Sequence, residues 1–366
     1  VTVPFLDLTR SWPSFADAAR GHLDAIFATQ RFILGEHGRL LEEELASATG
    51  RRFGVGVSSG TDAILLCLMA LDLAPGDEVI TTPFTFFATA GCIVRAGGTP
   101  VFVDIDPGTF NIDPAAIRSA LTPKTKAIVT VDLYGQCADY DAILALADEV
   151  GVPVIEDACQ AIGGIFGGRP AGAFGLASCF SFFPTKNLGG AGDGGMITLD
   201  DEALAKRLRS LRTHGETTRY HHAEVGINGR LDEIQAAVLR AKLPHLAAWN
   251  ADRRTTAAFY SSRLAGIPGV TVPLVDPRCV PIWHQYTLRL TRRDAVLAAL
   301  QSAGIGCGVY YPVPLHLQPC FSTVGGLPGS LPETEHAARE VLSLPIFPGL
   351  TDAEREEVVA AVAGAS

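Results

Sequence analysis

Paired cysteines, clustered basic residues and long apolar runs are all missing from this chain, and each absence closes off a class of protein. The eight cysteines (Cys67, Cys92, Cys137, Cys159, Cys179, Cys279, Cys307 and Cys320) are scattered, without one CxxC pair and mostly among apolar neighbours. They read as reduced core residues of a cytosolic protein, so neither a disulfide scaffold nor a metal site is expected. Twenty-nine Lys and Arg against 39 Asp and Glu give a net charge of -10, with no basic cluster. A nucleic-acid partner needs a concentrated basic footprint, so small-molecule chemistry is the better expectation. The segment Val1 to Arg10 carries Asp7 and Arg10 and lacks a signal peptide's apolar run. No uncharged stretch elsewhere is long enough to span a bilayer, so a cytoplasmic protein with no membrane partner is expected. Internal repeats and low-complexity tracts are absent as well.

A chain of 366 residues can bury one large core and a smaller second one. From Arg52 to Leu199, short β-branched runs alternate with helical patterns, the signature of strands joined by crossover helices. Seven strands are expected: Phe53 to Val57, Glu78 to Thr82, Pro100 to Asp104, Lys126 to Val131, Val152 to Glu156, Ser178 to Phe183 and Gly194 to Leu199. Several are apolar on both faces, as when helices cover both sides of a sheet. The stretch Pro184 to Asp193 is too short and Gly-rich for a crossover helix, so the last two strands should be antiparallel and the sheet mixed. A helical region from Asp232 to about Arg263 should kink or restart at Pro244. A strand near Gln285 to Leu290, a helix from Arg292 to Ala303, a Pro-rich loop around Tyr311 to Pro319 and two helices after Pro332 follow. The fold class is therefore α/β, with a mostly parallel seven-stranded sheet flanked by helices. The division expected is a large unit over 30–245 and a smaller α+β unit over 246–366, joined by the N-terminal segment 1–29.

Three short runs carry the chemistry. In Ser181-Phe182-Phe183-Pro184-Thr185-Lys186-Asn187-Leu188-Gly189-Gly190 a lysine leaves a buried strand into a Gly-rich turn, where an open α/β sheet places its ligands. Desolvated there, its amine can lose a proton and attack a carbonyl. Taken alone, Lys186 would equally be an ordinary loop lysine. The run Val154-Ile155-Glu156-Asp157-Ala158-Cys159-Gln160 ends a hydrophobic strand in a carboxylate. At the mouth of the sheet Asp157 can reach the ring nitrogen of a pyridine cofactor and keep that ring an electron sink, or it can cap the next helix. In Val57-Ser58-Ser59-Gly60-Thr61-Asp62 a strand meets a helix whose N–H groups and dipole can face a phosphate; an N-cap alone would have the same look.

With these elements in order, the chain resembles the sugar aminotransferases of the DegT/DnrJ/EryC1/StrS family, which are fold-type I pyridoxal phosphate enzymes. The resemblance covers nearly the whole chain. It is carried by the three runs above and by Pro75-Gly76-Asp77-Glu78-Val79-Ile80, Pro83-Phe84-Thr85-Phe86, Asp132-Leu133-Tyr134-Gly135, Gly192-Asp193-Gly194-Gly195 and Asn228-Gly229-Arg230-Leu231-Asp232. It implies pyridoxal 5'-phosphate held by Lys186 as a Schiff base, with pyridoxamine 5'-phosphate as the aminated intermediate. It further implies that Phe86 stacks on the ring, Gln160 bonds the ring hydroxyl oxygen, and Gly60, Thr61 and Ser181 hold the phosphate. Asn228 would reach the phosphate in the neighbouring subunit, making a homodimer with shared active sites. Singly, Phe86 reads as well as a core aromatic and Asn228 as a turn residue before Gly229.

Within that family, Arg219 to Asn228 and Leu133 to Asp139 look most like enzymes that aminate C3 of UDP-2-acetamido-2-deoxy-3-oxo-glucuronate, with L-glutamate as donor. Arg230 is then the candidate for the sugar carboxylate, through its guanidinium fork, or it pairs with Asp232 or Glu233 in the turn. Tyr310, Tyr311 and His316 are candidate substrate contacts, with His284 near the same region. Tyr310 stands where the glucuronate enzymes have an imidazole, so it keeps a hydrogen-bonding tip but not an ionisable ring. The alternatives are a C4 aminotransferase of an NDP-4-keto-6-deoxy sugar and a non-catalytic regulator that keeps the fold. A dehydratase of the same family is disfavoured, because its best-known form has histidine at the position of Lys186.

Overall fold

The computed structural model describes residues 3–366; Val1 and Thr2 of the N-terminal segment lie outside the described residues. Seven strands form one sheet: β1 Phe53–Val57, β2 Glu78–Thr81, β3 Thr99–Phe102, β4 Thr125–Val131, β5 Val154–Asp157, β6 Ala177–Ser181 and β7 Gly195–Leu199. Their order is β1-β7-β6-β5-β4-β2-β3. Strand β7 runs antiparallel to both β1 and β6, and every other pairing is parallel. Each of the seven lies within two residues of its sequence-based position. The reversal falls at the Pro184 to Asp193 turn, which is too short to carry a helix across the sheet.

Side chains alternate across a strand, and here both faces are covered. Ile80, Ile128 and Val154 point into one core with Leu41, Leu45 and Phe180. Their neighbours Val79, Val129 and Ile155 point into the opposite core with Ile64, Leu66 and Ile93. Each fully buried residue of this kind contributes about 1.5–3 kcal/mol, which fixes the register of every strand. The alternation continues into the polar end of β5. Glu156 turns to the first face, where its carboxylate accepts from Gly172 N at 2.8 Å, Phe174 N at 3.0 Å and Ser178 Oγ at 2.5 Å. Asp157 turns to the second.

The second face is covered by two of the helices that frame the site, α3 Gly60–Met69 and α4 Ala88–Arg95; α1 is Trp12–Thr29 and α2 is Glu36–Ala48. Helix α5 Glu233–Lys242 ends in a single 3₁₀ turn, Leu243–His245, before α6 Leu246–Leu264 begins. The restart falls at Pro244, whose ring removes one helical N–H.

A separate core surrounds a three-stranded antiparallel sheet of β8 Val270–Thr271, β9 Tyr286–Leu290 and β10 Val341–Leu344. Tyr260 and Leu264 of α6 pack there with Val358 and Val362 of the last helix. The N-terminal segment divides between the two cores. Val3 pairs with Ile305 and packs with the small sheet, and Arg10 forks onto Glu354 at 2.6 and 2.7 Å. Helix α1 instead lays Phe15 and Ala19 against Ala241 of α5, beside the large sheet. A further apolar cluster, Phe84, Phe110, Val131, Tyr134 and Val341, packs with Tyr310 and Tyr311 and so joins the small unit to the sheet's carboxyl edge. Among the described residues no helix is long and apolar enough to cross a membrane.

Candidate active site

The carboxyl ends of β1, β5 and β6 open into a cavity of about 1040 Å³. Its wall includes Gly60, Thr61, Phe86, Asp157, Gln160, Ser181, Lys186, Tyr310 and Tyr311, which brings nine of the twelve sequence-named site residues into one space.

Helix α3 starts at the end of β1. Ser59 is extended and accepts from Asp62 N at 3.0 Å, and Ala63 N donates to Ser59 O at 3.0 Å. An α-helix leaves its first N–H groups without intrahelical acceptors, so those of Gly60 and Thr61 remain for a ligand, with the dipole behind them. Glycine is required at the first position by close approach. A Cβ on Gly60 would stand 2.7 Å from Ser181 Cβ and 2.9 Å from Cys159 Sγ. The cup is thus closed by backbone on one side and by the Ser181 side chain on the other, a good fit to a phosphate.

Asp157 is buried, and its carboxylate is held from two sides. Oδ2 accepts from Thr89 Oγ1 at 2.8 Å, Thr89 is itself bonded to Thr85 Oγ1 at 3.0 Å, and Oδ1 accepts from Cys159 N at 3.2 Å. Thr89 lies in the first turn of α4 and Thr85 in the bend three residues before that helix, and the bend brings the two hydroxyls together. A carboxylate oxygen has more than one lone pair, so Asp157 can still accept from a ring N–H in the cavity.

Lys186 leaves the turn after β6, where its N–H donates to Phe183 O at 2.8 Å. The side chain is half-buried in the cavity wall. Desolvation lowers its amine below the usual lysine range, against an opposing pull from Cys159 and Asp157. His284 is close enough to feel both Lys186 and Arg253, and burial first, then those two cations, holds its ring neutral, well below the ordinary histidine range. Its Nδ1 lies 3.3 Å from Asn187 Oδ1. Behind the sheet edge, burial first and then the neighbouring Glu156 raise Asp132 well above the carboxylate range.

Gln160 is committed on two sides. Its Oε1 accepts from Tyr134 N at 2.7 Å and its Nε2 donates to Tyr311 Oη at 3.2 Å, leaving one N–H for a ligand. Tyr134 Oη donates to the Tyr310 carbonyl, which ties the Tyr310–Tyr311 loop over the cavity. Phe86 is 58% exposed although it lines the cavity, so the alternative of a core aromatic does not apply to it.

Three sequence-named residues lie elsewhere. His316 is buried against Glu335 at 3.3 Å and does not line the cavity; the Pro-rich loop folds its ring into the protein, so this chain cannot present it to a substrate there. Arg230 follows Gly229, whose carbonyl accepts from Ser58 N, and it lies beside Val57. Its Nε is buried without a partner; it pairs with neither Asp232 nor Glu233, and it is not in the cavity wall. Glu233 is engaged instead with the Gly35, His37 and Gly38 N–H groups, each at 2.8 Å. Asn228 pairs with Thr213 and is exposed, away from its own chain's cavity. Conversely, Thr85, Thr89, Cys159 and Arg253 reach the site without a local signal in the sequence.

A mixed seven-stranded sheet with a lysine, a carboxylate and a phosphate-sized helix cup at its carboxyl edge defines a fold-type I pyridoxal phosphate-dependent transferase. The group fits the residues present: Gly60, Thr61 and Ser181 for the phosphate, Asp157 for the ring nitrogen and Lys186 for the aldehyde. Comparison with known proteins agrees. Residues 14–363 match the model of the DegT/DnrJ/EryC1/StrS aminotransferase family, and the chain belongs to that family. It is 50% identical to a pleiotropic regulatory protein of Geobacillus stearothermophilus, covering 99% of this chain and 98% of that one. It is 46% identical to a UDP-N-acetyl-3-dehydro-alpha-D-glucosamine 3-aminotransferase of Acidithiobacillus ferrooxidans, over 99% and 96%. A UDP-2-acetamido-2-deoxy-3-oxo-D-glucuronate aminotransferase of Pseudomonas aeruginosa is 41% identical, over 98% and 99%. Among solved structures, S. venezuelae DesV in complex with a ketimine intermediate superposes with a TM-score of 0.97 at 42% identity, over 99% and 98%.

Proposed function

We propose that the protein transfers an amino group from L-glutamate to C3 of a UDP-linked 2-acetamido-2-deoxy-3-oxo sugar, the glucuronate or a close relative of it. The observation that carries this reading is the placement of Lys186, Asp157 and the α3 cup in one wall of a cavity of about 1040 Å³. That volume is at the upper end for ligand pockets and leaves room for a bulky second substrate beside the cofactor. Relatives named for 3-oxo sugars, at 46% and 41% identity, support C3 as the position aminated.

When bound, the cofactor supplies an aldehyde that captures amines and a ring that takes up the electrons of a developing carbanion. Asp157, pinned by Thr89 and Cys159 N, keeps the ring nitrogen protonated. Lys186 Nζ, freed when the substrate amine takes its place on the aldehyde and with its proton affinity lowered by desolvation, would carry the proton between the amino-bearing substrate carbon and the cofactor's aldehyde-derived carbon. Phe86, Gln160 and the phosphate cup of Gly60, Thr61 and Ser181 fix the ring's orientation. Tyr310 and Tyr311 face the sugar, and Tyr310 offers a phenol to the group on C6.

The reading includes a homodimer in which Asn228 completes the partner's phosphate cup; the exposed Tyr220 and Val225 near Asn228 in sequence are apolar surface suited to burial between copies. It also takes 30–245 and 246–366 as the two working units, with residues 3–10 packed on the second, and a cytoplasmic setting, in keeping with eight free cysteines. The test is a panel of nucleotide keto sugars supplied with glutamate, with products read by mass spectrometry. The expected amine appears on UDP-2-acetamido-2-deoxy-3-oxo sugars. Amination only of a 4-keto-6-deoxy sugar would overturn the C3 assignment, and a colourless protein indifferent to glutamate would favour a regulator.

A further inference from the structure

Next to Lys186, a chain of side-chain amides fixes the state of one cavity histidine. Asn250 donates from Nδ2 to the Ile162 carbonyl at 3.1 Å, so its Oδ1 is turned to Asn187 and accepts from Asn187 Nδ2 at 2.8 Å. Asn187 Nδ2 also donates to the Ile282 carbonyl at 3.1 Å. A backbone carbonyl only accepts, so Ile162 and Ile282 together decide which way both amides point. The Asn187 oxygen is thereby left facing His284, 3.3 Å from Nδ1. That oxygen can only accept from the ring, which places the imidazole proton on Nδ1. Burial first, then the cations Lys186 and Arg253, keep the ring neutral, and a neutral ring protonated at Nδ1 carries a bare lone pair on Nε2. Nε2 bonds to no group among the described residues, yet it is not one of the polar atoms sealed away without a partner.

We propose that His284 is a positioning residue for Lys186: its Nε2 lone pair accepts a hydrogen bond from the lysine amine whenever that amine is off the cofactor's aldehyde. Both side chains line the cavity, and Asn187, which anchors the ring, is the residue next to Lys186. Lys186 Nζ has no hydrogen-bond partner among the described residues, and its stem of four methylenes gives it reach. The other acceptors near it are engaged. Asp157 accepts from Thr89 and Cys159 N, and the Cys159 thiol, raised well above its usual range by burial, donates to the Cys179 carbonyl at 3.6 Å. The uncharged state of the ring suits the task. A protonated imidazole could only donate and would repel an ammonium, whereas a carboxylate in its place would tighten the amine's hold on the proton it has to pass on. The inference rests on the aminotransferase reading and adds a residue that acts through Lys186.

Two variants separate the ring's two nitrogens. In His284→Asn the amide reaches as far as Nδ1 did and can still donate to Asn187, but nothing stands where Nε2 was. In His284→Gln the amide reaches as far as Nε2 did and can present its oxygen there. In the apoprotein, the pH midpoint for amine labelling of Lys186 should fall by about 1 unit in His284→Asn, because the ammonium has lost an acceptor, and stay within about 0.3 unit of wild type in His284→Gln. An unchanged or raised midpoint in His284→Asn would overturn the proposal. In the holoenzyme, single-turnover loss of visible absorption with L-glutamate and its return with a keto sugar nucleotide should both slow by about 10- to 100-fold in His284→Asn and by less than about fivefold in His284→Gln. The reverse order, with His284→Asn near wild type and His284→Gln the slower, would mean that only the bond to Asn187 matters and would sink the proposal. A loss confined to the sugar half-reaction would make Nε2 a sugar contact and do the same. Should His284→Asn fail to fold, His284→Gln decides alone, since rates within about fivefold of wild type support the acceptor role and a larger loss contradicts it. If the wild-type holoprotein is not bleached by any amino acid, the aminotransferase reading fails, while the apoprotein midpoints still decide whether His284 holds Lys186.

Discussion

The two walls of the cavity are built in different ways. The cofactor wall comes from strand ends: Ser59 to Thr61 after β1, Asp157 at the end of β5 and Ser181 to Lys186 after β6. The rest of the lining comes from places far apart in sequence: Arg253 within α6, His284 and Gln285 before β9, and the Tyr310–Tyr311 loop. On the first wall the sheet alone fixes position, because parallel register sets where each strand stops. On the second, position depends on how the small core docks, through Phe84, Phe110, Tyr134 and their contact with Tyr310 and Tyr311. On the proposed function, chemistry common to every turnover would sit on the wall the sheet defines, and recognition of the substrates would fall to the wall assembled by docking.

This contrast can be broken at several points. Lys186→Ala should cost the most: turnover should fall by about 10⁴-fold or more, since the group that both captures the cofactor and moves the proton is gone. Activity within tenfold of wild type would remove Lys186 from the centre of the account. Asp157→Asn should follow, with a loss of about 10²–10⁴-fold and a shifted cofactor absorption, while Tm changes little. Gly60→Ala is smaller and acts through space. Its Cβ would stand 2.7 Å from Ser181 Cβ, so cofactor affinity should weaken by about 1–3 kcal/mol of overpacking, read by titration of the apoprotein. The smallest effect concerns protonation. Because desolvation lowers Lys186, its free amine persists to lower pH. In the apoprotein, amine labelling of Lys186 should therefore reach half its maximum at a lower pH than labelling of lysine in a short unstructured peptide. A higher midpoint for Lys186 would mean that Asp157 and Cys159 outweigh desolvation.

Which parts were legible in the sequence follows the same division. The seven strands, the single antiparallel reversal and the restart at Pro244 were readable because each depends on local pattern: β-branched runs, a Gly-rich turn too short for a helix, a missing N–H. Lys186, Asp157 and the Ser59–Thr61 turn stood out as candidates for a similar reason, since each lies just past the end of an apolar run. Thr89 did not, because its role is visible only once α4 lies beside β5. Arg253 was hidden more deeply. In sequence it is one of two adjacent arginines in a helix, and nothing local says that Arg253 is buried while Arg254 is not. His316 was misplaced for the complementary reason: a polar residue in a Pro-rich loop looks available, yet the loop folds its ring against Glu335. Arg230 looked like a fork for a carboxylate, but backbone pairing beside Val57 keeps it out of its own chain's cavity.

The most direct test of the central claim is borohydride reduction of the yellow holoprotein followed by peptide mapping. The account predicts that the reduced cofactor is found covalently attached to Lys186 and to no other lysine, with the label lost when glutamate is added first. Attachment at Lys242 or another amine, or no attachment at all, would contradict it.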